Sequence, residues 1–228
     1  MSEREFIRKF INERVIEEKR NSCLVVALQD ARKLTGRHPQ TGFQSNIILS
    51  NVNEKVMNEK IIYDSNSFLG LIGYLILMDL IGSLFKQKEN ENGICIALEK
   101  FSKNLNKEER FVIKALRNSL AHNYSLINIP QKAKTPDKQQ SKDKKELHKF
   151  ELIYEDTDFI ISVPLESDRW IRDDFKNKLD VSNTKIGVRK LIDEFENVYG
   201  NLKEDYDNDN VTLTLGLEEL KARFTTIN

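Results

Sequence analysis

The stretch FLGLIGYLILMDLIGSLF, residues 68 to 85, is apolar around most of a helix. A helix of that kind must be covered on nearly every side by protein or by lipid. Its length approaches that of a membrane span. Asp79 nevertheless lies well inside it, Gly70, Gly73 and Gly82 dilute it, and neither flank carries a belt of Trp or Tyr. An ionised residue and a missing aromatic belt both disfavour lipid. The expectation is a buried central helix, with no membrane partner.

A chain that surrounds such a helix needs a sizeable core, and 228 residues suffice for one core or for a core with a small appendage. Charged residues make up 32% and hydrophobic ones 39%, with 9 Gly and 4 Pro, a globular and helix-rich balance. The 36 basic and 36 acidic side chains cancel, so any signal for a nucleic-acid partner must be local. Cys23 and Cys95 both sit in apolar helical patterns, which argues against a disulfide framework or a cysteine metal site. With no secretory signal in MSEREFIRKF, a cytoplasmic location is expected.

Residues 3 to about 34 contain no Gly or Pro and read as one long or once-broken helix, ended by TGRHPQTG. NIILSNV reads as a short strand or a loop, and Ser65 and Ser67 as caps of the apolar helix. A helix at about 94 to 103 precedes the motif helix at about 107 to 124, whose N-cap is Asn106 with Glu108 and Glu109 in the first turn. Residues 128 to 149 carry seven lysines against three acids and two prolines, the pattern of a basic flexible linker. FELIYED and DFIISVPL flank Thr157 as the arms of a β-hairpin, and helices follow at about 168 to 179, 184 to 202 and 216 to 225. The expected organisation is mainly α: a helical bundle over 1–127, the linker over 128–149, and a small β-hairpin with C-terminal helices packing on the bundle over 150–228. DYDNDN at 205 to 210 lacks the turn glycine and the bidentate glutamate of a calcium loop and reads as an acidic loop.

On the motif helix, with Arg117 at zero and 100° per residue, Val112, Leu116, Leu120 and Ile113 fall between about 220° and 320° as a core stripe. The opposite arc carries Arg110, Lys114, Arg117, Asn118 and His122, with Ala121 in its middle and Tyr124 at one border. Arg117 and His122 therefore face water, a cleft or a second chain, and the small Ala121 admits a close approach. A histidine titrating near neutrality exchanges protons with a hydroxyl, and an arginine fork stabilises a phosphate whose charge is being redistributed. This suits cleavage of RNA by its own 2′-hydroxyl. No metal or cofactor is expected, because His38, His122 and His148 have no ligand spacing.

The run Arg117, four residues, His122, one residue, Tyr124 resembles the Arg-x4-His-x-Tyr motif of HEPN domains, the "higher eukaryotes and prokaryotes nucleotide-binding" helical superfamily. Asn118, polar and directly after the arginine, also fits. The likeness covers roughly residues 65 to 126. It implies an up-and-down bundle in which two protomers join their motif-helix faces to form one RNase cleft. Arg117 and His122 would be the catalytic pair, Asn118 and Tyr124 their supports, and RNA the partner. It also implies toxin or phage-defence roles and an antitoxin partner, which in one toxin subgroup nucleotidylates the tyrosine matching Tyr124. The linker, hairpin and tail depart from a minimal HEPN bundle.

Other readings stay open on the residues alone. His122 can be a dipole-favoured histidine at a helix end and Arg117 a surface charge. Asp79 can orient Arg117 or His122, or it can pair with an unrelated lysine or reach the surface. Arg110 and Lys114 are nucleic-acid-binding candidates by their place on the arc, and the lysine-rich linker either gathers RNA or is merely solvated. Trp170 is a packing residue of the tail or a base-stacking one. The chain is then a metal-independent endoribonuclease, a module that binds nucleotide or RNA without cutting, or a dimeric interaction scaffold.

Overall fold

The computed structural model describes residues 1–17, 19–43, 67–88, 91–128, 148–165 and 182–227. They form a mainly α protein with two small sheets. NIILSNV, Ser65, the helix expected at 168 to 179, Trp170 and most of the lysine-rich linker lie outside the described residues.

Two compact units divide the chain, Met1–Leu77 with Gly216–Asn228, and Met78–Leu215. In the first, α1 (Glu3–Asn12) starts at Ser2, whose Oγ accepts from the Glu5 N–H at 3.2 Å, and buries Phe6, Ile7, Phe10 and Ile11 on one face. Of the two expected forms, one long or once-broken helix, the segment takes the broken one: a hairpin of β1 (Val15–Glu17) and β2 (Arg20–Ser22) separates α1 from α2 (Cys23–Leu34). Ser22 explains the restart. Its hydroxyl donates to the Phe10 carbonyl at 2.6 Å and accepts from the Val25 N–H at 3.2 Å, so one side chain caps α2 and ties it to α1. The C-terminal strand β7 (Thr225–Ile227) pairs with β2 in the order β1-β2-β7.

The apolar stretch forms α3 (Phe68–Ser83), and Leu71, Leu75, Leu77, Met78 and Ile81 are fully buried in it. Full burial of each is worth roughly 1.5–3 kcal/mol before conformational entropy is counted. Among the described residues no helix is long and apolar enough to cross a membrane. Ser67 Oγ accepts from the Gly70 N–H at 3.2 Å, as its reading as a cap anticipates. A Cβ on Gly70 would overlap Thr35, so α3 comes close to the end of α2 through a residue without a side chain.

In the second unit, α4 (Gly93–Phe101) begins at Asn92, whose Oδ1 accepts from the Cys95 N–H. Gly82 of α3 lies so close to Gly93 that a Cβ at either position would overlap the other helix's backbone. Helix α5 (Lys107–Asn123) follows, and then β3 (Ile127–Asn128), β4 (His148–Ile153), β5 (Ile161–Ser162), β6 (Thr184–Gly187) and α6 (Val188–Asp207). Helix α7 (Leu217–Phe224) returns to the first unit. On α6, the buried Glu194 accepts from Ser102 Oγ and Asn104 Nδ2, both at 2.6 Å, which holds the turn between α4 and α5.

Three sequence expectations change here. The two arms around Thr157 are strands but do not form a hairpin: the sheet order is β3-β4-β6-β5, with β6 parallel to β4 and antiparallel to β5. A close backbone at Gly187 makes room for this, since a Cβ there would overlap Thr157 and Phe159. Residues 184–187, expected as helix, are that inserted strand, and the helix starts at Val188. The ends of the expected linker are paired, Asn128 with His148 and Ile127 with Lys149.

Gly82→Ala should cost at least about 3 kcal/mol, because the overlap is with backbone and no rotamer relieves it. Gly200→Ala, in α6 where a Cβ meets nothing within 4 Å, should stabilise by about 0.5–1 kcal/mol. Urea unfolding of the two variants beside the wild type checks both signs.

Candidate functional site

Helix α5 is built to hold a fixed face. Its N-terminus is a capping box: Asn106 Oδ1 accepts from the Glu109 N–H at 3.0 Å, and Glu109 Oε2 accepts from the Asn106 N–H at 2.8 Å. Val112, Ile113, Leu116 and Leu120 are buried as the wheel requires, and Ala115 and Ser119 widen the stripe. The helix ends at Tyr124, which adopts the left-handed conformation, φ 48° and ψ 39°, with its N–H donating to the Leu120 carbonyl at 3.2 Å. Beyond it, the Phe150 N–H donates to the Leu126 carbonyl at 2.6 Å and β3 pairs with β4, so the chain leaving α5 is anchored in the sheet.

Asp79 and Arg117 meet. The Arg117 Nη2 donates in a short ion pair to Asp79 Oδ2, and Arg117 Nη1 donates to Asn118 Oδ1 at 3.1 Å. The other Asp79 oxygen, Oδ1, accepts from the Ile94 N–H at 3.1 Å, in the first turn of α4. The amide dipoles at that turn favour a carboxylate. One carboxylate thus joins the end of α3, the start of α4 and the middle of α5. The side chains are 25% and 19% exposed for Asp79 and Arg117, so Arg117 does not extend into water from its arc. It turns onto α3, and of the two readings of Asp79 the observed partner is Arg117.

The remaining expected residues have distinct places. Arg110 Nε donates to the Leu105 carbonyl at 3.1 Å, and the Lys114 ammonium stands over the Phe111 ring at 6.0 Å from its centroid. Both cations are near Cys95. Burial raises the Cys95 thiol above its usual range; Lys114 and Arg110 pull it down while Asp79 and Glu99 push it up. That thiol is therefore protonated near neutral pH and a poor nucleophile. Tyr124 is 71% exposed at the helix end. His122 is in the last turn of α5, and its side chain lies outside the described residues. Among the described residues no group of three or more His, Cys, Asp or Glu is placed to hold a metal.

The sequence reading omitted Phe111. It falls at about 120° on the wheel, between Asn118 and His122, and is 51% exposed. An aromatic in the polar arc was the available signal.

Two outcomes test this geometry. In a double-mutant cycle by urea unfolding, Asp79→Ala and Arg117→Ala should couple by about 1–2 kcal/mol, the range for a charge-assisted pair that is still partly wet. Tyr124→Gly should raise stability by about 1 kcal/mol, since it removes the left-handed penalty of a side chain at that turn; thermal melts read it. Comparison with protein-family models, with curated protein sequences and with solved structures returns no match.

Proposed function

We propose that this chain is a metal-independent endoribonuclease of HEPN type, working in the cytoplasm as a homodimer through the motif-helix face, in a toxin or phage-defence role. The observation that carries the reading is the clamped Arg117. Asp79 and Asn118 both accept from its guanidinium, five residues before His122 on the same helix. A guanidinium held in one plane before substrate arrives is the kind of donor that stabilises a developing phosphate charge without reorganisation. The exposed Tyr124 and Leu126 at the end of α5 offer apolar surface for a second copy.

In this reaction the RNA 2′-hydroxyl gives up its proton and attacks the adjacent phosphorus. The bond from phosphorus to the 5′-oxygen breaks, and that oxygen is protonated. The products are a 2′,3′-cyclic phosphate and a 5′-hydroxyl. His122 serves as base or acid, so two copies in one cleft supply both roles. Arg117 stabilises the phosphorane charge, Asp79 and Asn118 position Arg117, and Tyr124 lines the cleft. Arg110 and Lys114 draw the phosphate backbone in.

A second reading, binding of nucleotide or RNA without cleavage, is favoured by one specific observation: the Asp79 carboxylate offsets the Arg117 charge. Labelled single-stranded and structured RNA incubated with the protein in EDTA separates the two. The nuclease yields cyclic-phosphate ends, lost by about 10²–10⁴-fold in His122→Ala and about 10²–10³-fold in Arg117→Ala. Intact RNA throughout, with binding lost in Arg117→Ala, establishes the second reading and removes the first.

A further inference from the structure

Half of the Phe111 surface is open, on a helix whose buried stripe is already complete with Val112, Ile113, Leu116 and Leu120. Among the described residues its ring adds little to the core. Its surroundings on α5 are specific. By the helical repeat the arc from about 0° to 120° carries Lys107, Arg110, Lys114, Arg117 and Asn118 beside Phe111, and no acid of this helix falls within it. Lys114 stands over the ring at 6.0 Å, a distance at which a cation and an aromatic face attract.

We propose that Phe111 and Lys114 form a subsite for one unpaired nucleotide, the base stacking on the Phe111 ring and the phosphate taken by Lys114. An aromatic face beside an ammonium is a pairing that suits single-stranded nucleic acid: every base has a π-face, and every link carries a negative charge. A duplex buries its base faces against one another, so it cannot use this ring. Phe111 precedes His122 by about 16 Å along the helix axis, which sets the subsite on a flank of the reacting bond and not at it. The subsite rests on the reading of α5 as an RNA-facing helix, and it names what that face prefers: a strand with an unstacked base upstream or downstream of the cut. Phe111 is a binding residue here, and no proton or bond is handled by it.

The test uses the full chain carrying His122→Ala, so that RNA survives the measurement, and two probes of equal length: fluorescein-labelled oligouridylate and the matching abasic ribose-phosphate oligomer. Adding Phe111→Ala should weaken oligouridylate about tenfold or more and leave the abasic probe unchanged. Phe111→Trp should restore the loss. Lys114→Ala should weaken both probes and lower the salt slope by about one. The proposal is overturned by an equal loss on both probes, by no loss on oligouridylate, by failure of the parent to bind it, or by a change in oligomeric state on light scattering that makes Phe111 a subunit contact. Phe111 sits outside the core, so circular dichroism should match the parent in each variant. Absence of cleavage by the wild type would remove the nuclease while leaving this binding result standing, so the two failures are distinguishable.

Discussion

The carboxylate of Asp79 is the point on which the arrangement of α3, α4 and α5 depends. Within a helix of otherwise apolar residues it would be costly alone, and its two oxygens are used differently. One holds the Arg117 guanidinium, and the other accepts an amide from the first turn of α4. Both partners supply positive charge, one formal and one from aligned peptide dipoles. Ser83 Oγ donates to the Asp79 backbone carbonyl one turn on, so the end of the helix that carries the acid is itself tied down. With all three helices sharing one ionic contact, α5 can turn only within a narrow range, and Arg117, Asn118 and Phe111 keep a common orientation.

That contact requires the helices to approach closely, and glycine makes it possible. Gly82 and Gly93 meet where any side chain would overlap backbone, which brings the Ile94 amide within reach of Asp79. The turn after α4 is held by Glu194, and the end of α5 by the β3–β4 pairing. Helix α5 is thus held at both ends, while Tyr124 pays a conformational cost to leave the helix in the left-handed region. Such strain persists only where the surroundings over-determine it, and it recurs at functional sites.

Much of α5 was legible before any coordinates. Its start follows from Asn106 and Glu109, and its buried side from the spacing of Val112, Ile113, Leu116 and Leu120, because both are local and periodic. The apolar helix was legible for the same reason. The interleaved sheet was not: β6 reaches β4 and β5 across distant sequence, and a parallel pair leaves no turn signal between its strands. A single break in this segment was anticipated, but the hairpin that fills it was not, because Ser22 ties α2 to a carbonyl of α1 twelve residues earlier, beyond a local window. Phe111 lies within the polar arc by its angle on the helix, but how much of its ring is exposed depends on what packs beside it, which local pattern does not contain.

The sequence by itself determined that α3, α4 and α5 are helical, which stripe of α5 is buried, and that Arg117, Asn118, His122 and Tyr124 crowd one end of one helix; backbone hydrogen bonding and hydrophobic periodicity act over a few residues and need no partner. Only the tertiary structure decided that Asp79 pairs with Arg117, that Arg117 lies against α3 instead of in water, and that Phe111 remains open. An ion pair between residues 79 and 117 depends on a helix approach set by glycines and by burial elsewhere in the chain, and exposure is a property of what packs alongside. Long-range geometry of that kind is absent from local pattern.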